Sequence, residues 1–126
     1  MRTVHNTDKA PAPVGPYNQA ISFNGVLYCS GQIAIDTATG KLVTDDIEAE
    51  TRQVMQNIAE VLHNAGTDFD KVLKCTVFVS NMDHYDRINA VYTQYFDEDT
   101  APARELVEVA RLPKYANVEI SVLAAL

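Results

Sequence analysis

The chain has 126 residues, 47% of them hydrophobic and 21% charged, and a formal net charge of −7. That length suits one domain over residues 1–126, and the balance is that of a soluble globular protein rather than a disordered segment. The acidity argues against nucleic acid or an anionic membrane as partner, because both need a clustered basic face; a small anionic ligand would have to be held by a local cation.

Met1 to Pro13 is polar and proline-containing, and reads as an arm leading into Gly15-Pro16-Tyr17. It has no apolar h-region, and no apolar run in the chain reaches the roughly 18 residues of a membrane span, so the expected location is the cytoplasm. Asn24-Gly25, between two β-rich runs, predicts a type I′ turn joining Gln19–Phe23 to Val26–Ser30. Ser30-Gly31-Gln32 breaks the pattern, and Gly31 would permit a bulge or a close backbone approach. Ile33 to Asp36 is a further short extended piece, ended by the turn Thr37 to Gly40. Ile47, Val54, Ile58, Val61 and Leu62 recur at helical spacing and predict a helix over Asp45 to Ala65. Asp45 with Glu48 resembles a capping box at its start, and Gly66 supplies the stop. Val72 to Val79 is β-branched and almost wholly apolar, as a central strand would be. Ser80 to Asp83 offers caps for a second helix over His84 to Phe96, with Tyr85, Ile88, Tyr92 and Tyr95 or Phe96 as its stripe. A solvated loop over Asp97 to Pro102 precedes two strands, Glu105–Ala110 and Val118–Leu123, joined by a short connection containing Pro113.

This order predicts an α+β fold, a mixed sheet with both helices packed on one face. The other face still carries Val and Ile in several strands and calls for a partner, for which self-association is the simplest provision. Cys29 and Cys75 lie far apart in apolar runs and read as small buried hydrophobes. His5, His63 and His84 show no ligand spacing, so no metal is expected. Taken alone, Arg104 reads as a surface ion-pair partner and Glu119 as a solvated residue on the polar side of its strand. Tyr17 reads as a turn aromatic, the tyrosine stripe as core or interface, and Arg111 as a structural or oligomer-interface residue paired with an acid.

A larger pattern changes those weights. Gly15-Pro16-Tyr17-x-Gln19-Ala20, Ser30-Gly31-Gln32, Val77-Phe78-Val79, Asn89-Ala90-x-Tyr92 and Pro102-Ala103-Arg104-x-x-Val107-Glu108-Val109-Ala110-Arg111-Leu112-Pro113 stand in the order found in one family. From about Ala10 to the C-terminus the chain resembles the Rid family, the reactive enamine/imine deaminases, also called YjgF-type or endoribonuclease L-PSP-like proteins. The resemblance implies a chorismate-mutase-like α+β fold and a homotrimer with sites in the clefts between subunits. It also implies cofactor-free hydrolysis of 2-imino acids such as 2-iminobutanoate and 2-iminopropanoate to 2-keto acids and ammonia. Position by position, Arg104 matches the arginine that grips the substrate carboxylate, and Glu119 the acid that positions or activates the water. Tyr17 matches an aromatic that closes the pocket, Ser30 and Gly31 the loop on the substrate, and Asn89 a helix residue near the site. Leu106 stands where many members have cysteine, so that position is expected to contribute only its backbone N–H. The loop before Pro102 also looks shorter than in those members. Two other readings fit the same scaffold: a non-catalytic small-acid-binding or holdase-type module, and a relative acting on another enamine such as aminoacrylate.

The chemistry suits these residues. A guanidinium binds a carboxylate through two parallel N–H···O bonds, which fixes the adjacent imine carbon. One carboxyl group titrating near neutrality can then take a proton from water and return it to nitrogen.

Overall fold

The computed structural model describes residues 1–126. In chain order its elements are β1 (Thr3–His5), β2 (Ala20–Phe23), β3 (Val26–Cys29), β4 (Ile35–Asp36), β5 (Lys41–Leu42), α1 (Ile47–Asn64), β6 (Val72–Val79), α2 (Tyr85–Tyr92), β7 (Ala103–Glu108) and β8 (Val118–Ala125). Six strands form one sheet in the order β1-β2-β3-β8-β6-β7, and β4 with β5 makes a separate ribbon. The β6–β7 pair is parallel, its crossover supplied by α2, and the other pairs in the sheet are antiparallel. The mixed sheet with two helices on one face is therefore as expected. No helix is long and apolar enough to cross a membrane.

The strand period of two sorts the sheet into two surfaces. Cys75, Val77 and Val79 of β6 and Val118, Ile120, Val122 and Ala124 of β8 are buried beneath the helices, in one core with Val54, Met55, Ile58, Leu62 and Ile88. Burying each such aliphatic side chain contributes roughly 1.5–3 kcal/mol, so this face dominates stability. The opposite face has no layer over it. Val4, Ile21, Tyr28 and Leu123 line up across four strands, and Val4, Phe23, Tyr28 and Val107 are each nearly half exposed.

Local signals account for most elements. Asn24 and Gly25 have φ of 52° and 78°, the left-handed pair that a type I′ turn requires. The capping residue of α1 is Asp46, not Asp45: its side chain accepts from the Ala49 N–H at 2.7 Å. With the cap one residue later, Glu48 no longer occupies the reciprocal position and there is no capping box. Instead Glu48 pairs with Arg87 of α2.

Three further expectations need correction. Part of the N-terminal arm is a strand, because Thr3–His5 finds the free edge of β2 and needs no apolar pattern of its own to pair there. The second helix is shorter than predicted: regular α-helix ends at Tyr92 and a single 3-10 turn, Thr93–Tyr95, follows. Within the chain Arg111 has no acidic partner; its guanidinium lies 5.5 Å from the centre of the Tyr115 ring.

Candidate functional site

The predicted site residues fall into two groups on opposite faces of the sheet. The first is built where β3 leaves β8. After Cys29 the chain swings out, then Gln32 rejoins β8 by exchanging both backbone hydrogen bonds with Ile120, at 2.8 and 3.1 Å. Gly31 is thereby laid directly over the side chain of Glu119. A Cβ at Gly31 would stand 2.0 Å from Glu119 Oε2, so the close approach expected at Gly31 is real and only glycine permits it. The excursion is pinned at its other end by Ser30, whose N–H donates to Gln19 O and whose hydroxyl donates to Asn18 O at 2.6 Å.

Glu119 itself is half-buried and accepts no hydrogen bond within the chain. Burial therefore raises its carboxyl above the usual carboxylate range. It lines a cavity of about 420 Å³ together with Tyr17, Ser30, Gly31, Ile35 and Lys114. Two side chains hold the walls. Gln19, 2% exposed, accepts from the Thr7 N–H and donates to Thr7 O, Ala10 O and Pro11 O, which ties the N-terminal arm along the rim. Glu50 of α1, 1% exposed, accepts from the Asn117 N–H at 2.7 Å and Asn117 Nδ2 at 2.8 Å, and so fixes the start of β8 two residues before Glu119.

The second group surrounds Arg104. In register, Arg104 pairs with Cys75 and Cys75 with Val122, so its side chain lies on the helix face. There Nη1 donates to Asn89 Oδ1 at 2.8 Å and Nη2 to the Tyr85 hydroxyl at 2.9 Å. The guanidinium carbon stands 4.8 Å from the Tyr92 ring centre and 5.7 Å from that of Tyr85. The Tyr92 hydroxyl is buried beside the Cys75 thiol without a well-aligned hydrogen bond, and burial raises both groups. No carboxylate reaches Arg104. The three ion pairs of the chain are His63–Asp68, Lys74–Glu105 and Arg87–Glu48.

Leu106 is on the same side as Arg104, its side chain packed against the core. Val109 N–H donates to Val79 O, so by alternation Val107 and Glu105 face β6 while the N–H groups of Arg104 and Leu106 point away from it, at the open sheet edge. The Leu106 N–H is thus left without a strand partner at that edge.

Glu119, by contrast, pairs with Phe78 and Phe78 with Val107, the row on the uncovered face. Tyr17, Ser30 and Gly31 gather around it, whereas Arg104, Asn89 and Leu106 do not line its cavity. Residues that sequence reasoning missed fall in both groups. Lys114 reaches the Glu119 cavity from a loop in which it and Tyr115 both have φ near 55°, and nothing in Leu-Pro-Lys-Tyr marks a left-handed pair. Tyr92 of the helix stripe is buried in the core as expected, and with Tyr85 it also forms the cradle of Arg104, a role the stripe does not announce.

Comparison with known proteins agrees with the fold and motifs. The Endoribonuclease L-PSP family model matches residues 7–126. A RutC family protein of Synechocystis is 51% identical over 121 residues, covering 95% of this chain and 93% of that one. The 2-iminobutanoate/2-iminopropanoate deaminase of Bos taurus is 42% identical over 124 residues, covering 98% and 90%. Among solved structures, a conserved Rid family protein of Yersinia pestis superimposes with a TM-score of 0.97 at 50% identity and covers the whole of both chains. The chain belongs to the Endoribonuclease L-PSP, or Rid/YjgF, family.

Proposed function

We propose that the chain hydrolyses small 2-imino acids, 2-iminobutanoate and 2-iminopropanoate, to 2-keto acids and ammonia, in a homotrimer whose sites lie between subunits. The observation that carries this reading is Arg104. In a protein of net charge −7, a half-buried arginine meets only neutral oxygens and aromatic rings, and its charge awaits an anion. A carboxylate bound there by two N–H groups leaves the adjacent C=N carbon at a defined distance from the sheet edge. The bovine relative's name supplies a substrate class with that carboxylate.

Glu119 provides the second element. Its carboxylate takes a proton from water as the water oxygen adds to the imine carbon, giving a carbinolamine. The same group then returns the proton to nitrogen, the hydroxyl proton follows through the carboxylate to the same nitrogen, the C–N bond breaks, and ammonia leaves as the carbonyl forms. A carboxyl raised by burial suits both steps better than one in the ordinary range. The reaction moves no electrons between reactants, so the proposal includes no cofactor.

Arg104 and Glu119 lie on opposite faces of one sheet, and the proposal places the Arg104 group of one copy against the Glu119 cavity of the next. The uncovered apolar face around Val4, Phe23, Tyr28 and Val107 is the surface available for such association. The test is to generate imines with an amino-acid oxidase or a threonine dehydratase and follow keto-acid release, with the oligomeric state read by light scattering. Acceleration by the wild type and its loss in Arg104→Ala are expected. No acceleration by wild type refutes the activity, unchanged acceleration by Arg104→Ala refutes the carboxylate clamp, and an active monomer refutes the shared site.

A further inference from the structure

One contact of Arg104 is not explained by orientation alone. Its two acceptors sit on successive turns of α2, Tyr85 at the first residue and Asn89 four positions on, the spacing that brings two side chains to one helix face. Together with the Tyr92 ring beneath, Asn89 is already sufficient to fix the guanidinium plane. The ring of Tyr85 would pack at the foot of α2 equally well without its oxygen. That oxygen nonetheless lies 2.9 Å from the terminal nitrogen of Arg104 and accepts from it. A phenol that accepts retains its own proton, and no acceptor in the chain takes that proton. Accepting from a cation also polarises the O–H and makes it a stronger donor. Beside the N–H groups that Arg104 still has free, there is therefore an O–H donor with no partner.

We propose that Tyr85 is a ligand-binding residue of the Arg104 site: its hydroxyl donates to the anionic group that Arg104 receives, so one carboxylate is held by a guanidinium N–H and a phenolic O–H together. This rests on the reading of Arg104 as a carboxylate site, and it names a donor that the chain's Arg104 and Asn89 assignments leave out. An anion is favoured over a neutral ligand by the same facts that leave the guanidinium unneutralised: no carboxylate of this acidic chain comes within ion-pair distance of it.

Equilibrium binding separates this proposal from the proposed turnover. Titration calorimetry is run with 2-ketobutyrate and with its carboxamide on wild type, Tyr85→Phe and Arg104→Ala, with thermal melts of each. Tyr85→Phe removes one oxygen and preserves the ring. It is expected to melt with the wild type and to bind 2-ketobutyrate about ten-fold more weakly, the effect of one hydrogen bond to a charged group, while the carboxamide loses much less. Binding of 2-ketobutyrate within two-fold of wild type overturns the role of Tyr85 and leaves Arg104 standing if Arg104→Ala loses affinity. Equal loss of both ligands with a lowered melting temperature makes the hydroxyl structural and also overturns it. A wild type that binds the keto acid no better than its carboxamide removes the anion site altogether, and Tyr85 with it. Binding as expected without any keto-acid release from imines upholds Tyr85 while refuting the deaminase reading.

Discussion

Substituting Gly31 by alanine tests whether the geometry around Glu119 matters to the chemistry proposed for it. The new Cβ would stand 2.0 Å from Glu119 Oε2, 2.8 Å from Cδ and 3.0 Å from Cγ, and real Cβ atoms essentially never come closer than 3.0 Å. The carboxylate must therefore retreat by at least 1.0 Å. Gly31 is not among the glycines with positive φ, so alanine brings no backbone strain and the effect is steric alone. The displaced atoms end a flexible side chain that faces a cavity, so the stability cost is small, about 1 kcal/mol. A misplacement of that size at a reacting group costs about 100-fold in kcat/KM, roughly 2.7 kcal/mol. Thermal melts and keto-acid release from enzymatically generated imines read the two quantities separately. In a Glu119→Gln background the same substitution has no placed base left to disturb, so the double-mutant cycle is strongly non-additive. Activity within a few-fold of wild type in Gly31→Ala, or additive losses in the cycle, would refute the reasoning.

Three further outcomes follow from buried groups. Gln19→Ala removes four hydrogen bonds to the arm and leaves part of their backbone partners unpaired, so about 3 kcal/mol of stability is lost and amide exchange at Thr7 rises ahead of the core strands. Burial raises the Glu119 carboxyl in the folded state, so folding stability falls as pH rises from the unfolded value of 4.5 through the raised one. Glu119→Gln is therefore expected to increase the melting temperature at pH 7, with the gain vanishing below pH 4.5, and loss of stability at pH 7 would contradict it. Burial pushes the Cys29 thiol up to about 12 and raises Cys75 as well, so both should resist a thiol reagent at pH 8 in the folded protein and react at once in denaturant.

What could be read from the sequence is what short-range physics decides. Asn24-Gly25 marks its hairpin because few other pairs tolerate two left-handed residues, and β6 was bounded at Val72 and Val79 because nearly every position in it is apolar. The same logic places Gly31 at a close approach. Elements whose existence depends on a distant partner were not legible. Thr3–His5 pairs because β2 offers an edge, and of two consecutive aspartates it is Asp46, not the expected Asp45, whose side chain accepts from the Ala49 N–H. Arg111 was assigned an acid by charge alone, and Tyr115 reached it first. The cradle of Arg104 was hidden for a further reason: at helical spacing, tyrosines that hold a guanidinium look identical to tyrosines that fill a core.

The most consequential feature that sequence could not reveal is the parity of the two key residues. Arg104 shares a row with Cys75 and Val122, Glu119 with Phe78 and Val107, and adjacent rows point to opposite sides of a sheet. No rotamer carries a side chain through a strand, and a one-residue slip of β8 would expose Val118, Ile120 and Val122 to water. If both residues act on one substrate, they come from different copies. Complementation then gives a quantitative expectation. Arg104→Ala and Glu119→Gln are each inactive alone, but when unfolded together in equal amounts and refolded, each interface draws its arginine and its glutamate independently. Half the chains carry each intact residue, so about a quarter of the sites are complete and about a quarter of wild-type activity returns. A site built within one chain gives none, because every chain in the mixture lacks one of the two groups. Recovery near a quarter, absent when the variants are mixed without unfolding, would show that the catalytic unit is the interface; no recovery from a mixture that refolds to the wild-type oligomer would show that the pairing of Arg104 with Glu119 is wrong.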